Sequence, residues 1–456
     1  MNTTNTPINT INSEKGFDDH NPPSQNLIDQ CVHCGFCLST CPSYRVIGKE
    51  MDSPRGRIYL MNAINQGEAK LDESTSPHFD SCLGCLACVT TCPSGVQYDQ
   101  LIASVRPQVE RNQPRNWWEK ILRTLIFNIF PYPARLSIFL PLLWFYQISG
   151  LQALVRKTGI LKFFPRIASM ESILPSIQLA SINKKYPYTI PPQKEKKYRV
   201  GLILGCVQRL FFDPVNEATV RVLTANGCEV VIPPSQGCCG ALPAHQGQEN
   251  QAQTLAKQMI DSFLSAEVDY IIINAAGCGH TLKEYHHILK DDSEGNCYAA
   301  RIYEEKAKEF VSKVRDINEF LMETGFNVDL SPVTDDTVKV VYQDACHLLH
   351  GQKISLQPRQ LLQKIPNLEL KEPVDAALCC GSAGVYNLLQ PDVANELGEQ
   401  KVQNLLNTGA SIIASPNPGC ALQITKHLKL QGKEVKVMHP MELLDHSIRG
   451  ELIKST

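Results

Sequence analysis

From Tyr198 onward the chain alternates short apolar runs with longer amphipathic ones. Arg199–Leu204, Glu229–Pro233 and Tyr270–Asn274 are Val/Ile/Leu-rich and too short for helices, and Val338–Tyr342 and Ser411–Ala414 repeat the pattern. Between them Pro214–Asn226 and Asn250–Ser265 read as helices. Buried strands separated by helices predict a parallel sheet, in which ligands sit beyond the carboxyl ends of the strands. Upstream the pattern changes. Trp117, Trp118 and Ile121–Phe130 are apolar and helix-like, and Leu136–Val155 holds no charged residue over 20 positions. That length just reaches a membrane span, but Pro141 should interrupt it and Gln147, Ser149, Gly150 and Gln152 dilute its second half. The expectation is one or two buried or interfacial helices, with a contact to a membrane surface or a partner left open. Tyr186–Lys197 reads as a Pro- and Lys-rich linker, and residues 1–24, polar and rich in Asn, Thr and Pro, as a disordered tail.

The α/β half is internally repeated, and the cysteines reveal it. Cys206, Cys238, Cys239 and Cys278 recur as Cys346, Cys379, Cys380 and Cys420, at offsets of 140, 141, 141 and 142 residues. Each pair of adjacent cysteines is followed by glycine. Most of these cysteines follow a predicted strand, so all four in each copy fall on the ligand-binding edge of the sheet. Convergence of four thiols in each half predicts a metal centre or redox site, against the alternative of buried structural cysteines. Cys228 and Cys297 have no counterpart in the repeat and read as ordinary thiols. His245, His280, His347 and His350 lie beside these positions, suited to ligation or proton transfer, or simply to packing.

Two further motifs precede this half, Cys31-x2-Cys34-x2-Cys37-x3-Cys41-Pro42 and Cys82-x2-Cys85-x2-Cys88-x3-Cys92-Pro93. This is the bacterial ferredoxin spacing for 4Fe-4S cubanes. Three cysteines at this spacing wrap one cube, and the fourth is carried to the other. Crossed ligation follows: Cys31, Cys34, Cys37 and Cys92 on one cluster, Cys82, Cys85, Cys88 and Cys41 on the other. A pair of zinc sites would have no use for the third cysteine or the Cys-Pro. Between the motifs Ser53 and Pro54 mark a helix start, as N-cap and first-turn proline. Arg55 and Arg57 there either offset cluster charge or form a solvated face.

The 456 residues include 18 cysteines and carry a net charge of −2. Neither nucleic acid nor an anionic surface is suggested by the bulk charge. The cysteine spacing suits metal binding rather than a disulfide framework, and no signal peptide pattern opens the chain, so a reducing cytoplasm is expected. No dinucleotide-binding G-x-G-x-x-G and no P-loop is present.

Several strings carry a family resemblance: Val32-His-Cys-Gly-Phe-Cys-Leu38, Asp52-Ser-Pro-Arg-Gly-Arg-Ile-Tyr-Leu60, Thr91-Cys-Pro-Ser-Gly-Val-Gln-Tyr98, Asn274-Ala-Ala-Gly-Cys-Gly279, Tyr342-Gln-Asp-Ala-Cys-His-Leu348 and Cys379-Cys-Gly-Ser-Ala-Gly384. Across roughly residues 28–446 the chain resembles the iron–sulfur subunit of bacterial glycolate oxidase (glycolate dehydrogenase). The Cys-Cys-Gly (CCG) repeats are also similar to those of heterodisulfide reductase, anaerobic glycerol-3-phosphate dehydrogenase and lactate-utilisation subunits. Heterodisulfide reductases often have a further C-x-x-C at the last cysteine. Here Gly279-His-Thr281 and Ala421-Leu-Gln423 follow instead, which argues against their non-cubane cluster.

The resemblance implies FAD on a partner subunit that oxidises a 2-hydroxy acid, because a flavin must split the electron pair for one-electron clusters. Electrons would then pass through two 4Fe-4S clusters here to a quinone or other acceptor. The protein would be cytoplasmic, with peripheral attachment to the cytoplasmic face of the membrane left open. Two alternatives are a subunit with its own disulfide- or quinone-reducing centre at the CCG sites, and a docking scaffold with structural cysteines. The predicted fold class is mixed α+β and α/β. A two-cluster ferredoxin-like helical module spans 25–110 and a helical connector 111–197. Two duplicated α/β cysteine-rich CCG domains follow at 198–300 and 337–446, joined by a helix and loop at 301–336.

Overall fold

The computed structural model of the chain describes residues 16–163, 165–177, 184–290 and 297–454. They divide into two compact units. One holds the residues up to Gly84 together with Cys88–Arg115, the other Cys85–Ala87 and everything from Asn116 onward.

The first unit is helical. Its main helices are α1 (Pro42–Ile47), α2 (Pro54–Asn65) and α3 (Tyr98–Asn112). Ser53 caps α2, its Oγ accepting from Gly56 N at 3.0 Å, and Pro54 occupies the first turn. Met61, Ile64, Leu101 and Val105 are fully buried between α2 and α3. Of the segment expected to be a disordered tail, residues 1–15 lie outside the described residues, whereas 16–24 are ordered. Phe17 is 5% exposed in this core, and Asp18 accepts from Gln108 and ion-pairs with Arg111 at 3.0 Å.

The second unit begins with α4 (Trp117–Ile129), α5 (Pro133–Ile148), α6 (Leu151–Thr158) and α7 (Pro165–Ile173). Pro141 lies inside α5 without breaking it. The break falls instead at Phe130-Pro-Tyr132, where α4 and α5 meet at 106°. Among the described residues no single helix is long and apolar enough to cross a membrane. The predicted linker also contains an element, strand β1 (Thr189–Ile190), which pairs antiparallel with the edge of the first sheet.

The two sheets share one topology. The first contains β2 (Tyr198–Ile203), β3 (Cys228–Val231), β4 (Tyr270–Ile273) and β5 (Val314–Asp316), in order β1-β3-β2-β4-β5. The second contains β6 (Val338–Tyr342), β7 (Leu368–Lys371), β8 (Ile412–Ala414) and β9 (Lys436–Met438), in order β7-β6-β8-β9. Apart from β1, every pairing is parallel. The helices that matter below are α8 (Asp213–Ala225), α9 (Glu249–Leu264), α10 (Ala276–Lys283), α11 (Cys297–Lys313) and α12 (Ile317–Glu323) in the first repeat. In the second they are α13 (Leu356–Leu362), α14 (Pro391–Leu406), α15 (Pro418–Leu430) and α16 (Pro440–Arg449).

Residues 301–336 are therefore more than a connector. They carry β5, a full strand of the first sheet, and α12, the counterpart of α16. Both of these helices open with a capping box, Asp316 with Glu319 and His439 with Glu442.

The repeats share one core. Val200, Leu202, Val222 and Phe320 from the first cluster with Val340, Tyr342, Met441 and Leu444 from the second. The helix contacts cross over, α8 on α16 and α12 on α13. Arg221 on α8 forks onto Asp445 on α16 at 2.7 and 2.8 Å. Leu444→Ala is expected to cost roughly 2–5 kcal/mol through the cavity left in this core. Because the core spans both repeats, denaturant unfolding monitored by far-UV circular dichroism should show both sheets lost in one transition.

Candidate iron–sulfur sites

The two ferredoxin-type loops turn in the same way. His33 and Gly35 have φ of 52° and 87°, and Gly84 and Leu86, at the same places in the second motif, have φ of 64° in both cases. Left-handed residues at matching positions coil each loop tightly and bring its cysteines to one side. Around the first loop, Cys31, Cys34 and Cys37 are joined by Cys92 from the second motif. These four thiols line a solvent-open cavity together with Cys88, with Arg55 and Ile58 on its wall. Burial raises the Cys31 thiol, and Cys92 and Cys34 add to the effect, as expected of thiols sharing one space. Four sulfurs around a void form a donor set suited to an iron–sulfur cubane.

Cys41 and Cys82 lie in a drier environment. Arg57 is 1% exposed, so the solvated-face reading fails for it. Its guanidinium donates to Ser43 Oγ and Ser81 Oγ, each at 2.9 Å, and to the His78 carbonyl at 2.5 Å. Ser43 Oγ touches Cys41 Sγ at 3.3 Å, while Tyr98 Oη and Gly84 N donate to Cys82 Sγ at 3.6 and 3.4 Å. Burial alone would raise the Cys82 thiol, but Arg57 and then Arg106 hold it below its ordinary value. Arg55, in contrast, is half-buried and pairs with Glu50. Cys85 and Cys88 are buried.

In the α/β half the eight repeat cysteines converge as two tetrads. Cys206 Sγ is 3.2 Å from Cys238 Sγ, and Cys239 hydrogen-bonds to Cys238 and Cys278. In the second repeat Cys379 hydrogen-bonds to Cys346 and Cys380, and Cys380 Sγ is 3.0 Å from Cys420 Sγ. These separations are well beyond the ~2.05 Å of a disulfide. Each tetrad is drawn from one strand end, one Cys-Cys-Gly loop that supplies two thiols, and one helix start. The loop glycine is required by its backbone. Gly240 and Gly381 have φ of 76° and 82°, and a Cβ would meet the carbonyl oxygens of Ala252 and Ala394 at 3.2 and 2.5 Å. The Cys206 thiol is pushed well up by its hydrogen bond to Cys238 and by burial, and Cys346 likewise by Cys379 and burial. Cys228 is a core thiol in β3, raised to about 12 by burial. Cys297 opens α11.

Each tetrad has one cation beside it that the sequence pattern did not single out, half-buried in the first repeat and buried in the second. Arg209 lies near Cys206 and Cys238, and Lys401 near Cys380 and Cys420, with Lys401 Nζ on the Ala376 carbonyl at 2.6 Å. A signal for Lys401 was present. Ala394, Leu397, Lys401 and Leu405 fall on the buried stripe of α14, where a lysine is out of place. Three of the four candidate histidines gather between the repeats, His347 lying 4.8 Å from His245 and 5.0 Å from His280, centroid to centroid. Burial, with His347 and Lys283, lowers His280 to about 3, which keeps it neutral. Burial also lowers His350. His439, unforeseen, bridges the repeats through the Asn274 carbonyl at 2.9 Å.

The geometry defines an iron–sulfur electron-transfer protein, and comparison with known proteins agrees. Residues 27–96 match a 4Fe-4S dicluster domain, 118–174 the linker region of the glycolate oxidase iron–sulfur subunit, and 200–283 and 340–425 the cysteine-rich CCG domain. The chain is 40% identical over 420 residues to the probable glycolate oxidase iron–sulfur subunit of Bacillus subtilis, covering 91% of this chain and 92% of that one. It is 32% identical over 431 residues to the glycolate oxidase iron–sulfur subunit of Escherichia coli, covering 94% and 96%. The chain belongs to the glycolate oxidase iron–sulfur subunit family. Lactate utilization protein A of Halalkalibacterium halodurans is 29% identical over 252 residues, 55% of this chain and 98% of that one. A hypothetical protein from Helicobacter pylori, solved by crystallography, shares the fold with a TM-score of 0.50 at 10% identity, over 87% of this chain and 68% of that one.

Tyr98→Phe removes a donor to Cys82 while sparing the packing of the ring. The second cluster of the dicluster module should then lose roughly 1 kcal/mol of stabilisation in its reduced form, about 40 mV lower in midpoint potential, with iron content unchanged. EPR-monitored redox titration measures this.

Proposed function

We propose that this chain is the electron relay of a glycolate (2-hydroxy acid) dehydrogenase. A partner subunit would carry FAD and take two electrons and two protons from the CH–OH group of the substrate. The flavin would then release the electrons singly to this chain. Here they would enter two 4Fe-4S clusters, one on Cys31, Cys34, Cys37 and Cys92, the other on Cys41, Cys82, Cys85 and Cys88, and leave to a quinone or another acceptor. The observation that supports this reading is the cavity lined jointly by Cys31, Cys34 and Cys37 of the first motif and Cys92 of the second.

The CCG tetrads extend the relay. Four converging thiols, three of them buried, with one cation beside them, in two copies, suit a further iron–sulfur centre in each repeat, held by Cys206, Cys238, Cys239 and Cys278 and by Cys346, Cys379, Cys380 and Cys420. The cysteine usage supports a reducing compartment, the cytoplasm.

Iron and acid-labile sulfide on anaerobically purified protein test both parts. Two cubanes give about eight irons per chain. The expected result is clearly more than eight, with the excess and its EPR signal lost in Cys380→Ser while the two ferredoxin-type signals remain. Addition of glycolate with the flavin subunit should reduce those clusters and so bring up their EPR signals. Zinc in place of iron would sink the relay reading.

A further inference from the structure

Helix α5 is apolar on all sides, yet only one side is covered. Leu136 and Leu140 are buried against Ile177 and Leu210, with Leu143 and Trp144 beside them. On the opposite side Ile138, Leu142 and Phe145 are 74%, 69% and 57% exposed, at the i, i+4, i+7 spacing of a single helical stripe. The exposed apolar surface continues through Ile148 to Leu151 and Leu154 of α6. At the start of α4, Trp117 and Trp118 stack at 4.0 Å and remain more than half exposed. Soluble chains rarely leave so much contiguous apolar surface in water, and a patch of this kind marks an interaction site.

Charge identifies the partner. Residues 117–174 contain seven Lys or Arg and two Glu, a net charge of +5. The whole chain carries −2, so the remainder carries −7. The positive charge is concentrated on the segment with the open apolar face. Lys120, Arg135 and Lys157 are exposed around it. Arg135 lies over the Tyr132 ring at 4.2 Å. Apolar stripe, flanking cations and exposed tryptophans are the features of a helix that lies in the plane of an anionic bilayer. The 106° bend between α4 and α5 suits such a lie and not a straight span.

We infer that the outer face of α5 and α6, with Trp117 and Trp118, docks this protein on an anionic lipid surface. The inference is independent of the relay reading, since it rests on exposure and charge and not on the cysteines.

The test is co-sedimentation of the full, cluster-loaded chain with vesicles of phosphatidylcholine alone and with added phosphatidylglycerol. Strong binding to the anionic vesicles only, weakened by salt, is expected. Leu142→Ser with Phe145→Ser should reduce that binding roughly tenfold or more. Both side chains are exposed, so the visible cluster absorption should be unchanged and serves as the folding control. Separately, Lys157→Glu should weaken binding to anionic vesicles. Absence of vesicle binding, or equal binding to both vesicle types, overturns the proposal. So does a double variant that binds vesicles normally but no longer co-purifies with the flavin subunit, which would make the face a protein interface.

Discussion

Four sulfurs cannot share a dry pocket as thiolates unless positive charge sits among them. Most of the architecture follows from this constraint. In the dicluster unit the buried Arg57 holds Ser43 and Ser81, and through them the environment of Cys41 and Cys82. In the repeats Arg209 and Lys401 stand beside their tetrads. Hydrogen bonding and burial favour the protonated form of the tetrad thiols Cys206 and Cys346. Iron would replace those protons, so binding of a cluster is coupled to proton release and to the stability of the fold. The left-handed residues of the loops, the glycines of the Cys-Cys-Gly turns and the parallel sheets all serve the convergence of thiols from distant parts of the chain.

The cysteine sites were legible because their constraints are local and repeated. Spacing fixed the ferredoxin-type loops, and a constant offset of 140–142 exposed the duplication. The strand pattern then put the cysteines on the correct sheet edge. The same constant offset hid the end of the first repeat. From Val314 to Lys436 the offset falls to 122, because α11 and the turn before it are inserted between α10 and β5, whereas α15 in the second repeat leads straight to β9. With the period broken, β5 and α12 looked like a connector. Strand β7 was missed for another reason: Leu368-Glu-Leu-Lys371 is an edge strand with charged residues on one face, lacking the continuous apolar run of the central strands.

Other differences came from contacts that no local pattern encodes. The polar segment around Asp18 is held by Gln108 and Arg111, about ninety residues away, beside the buried Phe17. Pro141 is accommodated inside α5, while the bend falls where Pro131 and Pro133 flank Tyr132. Arg57 could be weighed as a charge-compensating residue from sequence, but its burial depends on Ser43 and on His78 and Ser81, from two separate segments. Tyr98 and His439 gave no signal at all, because each acts on an atom that only the fold brings near.

The crossed helix contacts between the repeats, α8 on α16 and α12 on α13, have the form of an isologous interface, in which two copies of one surface face each other. In a true homodimer such pairing would weaken on dilution. Here a single chain joins the two copies, so their encounter is intramolecular and its effective concentration is set by the linker and not by the cell. The spacing between the two cysteine tetrads is therefore independent of how much protein is present. Fusion also frees the copies to diverge. The first could gain α11 and a β1 edge strand, and the second Lys401 on α14, without a matching change on the other side.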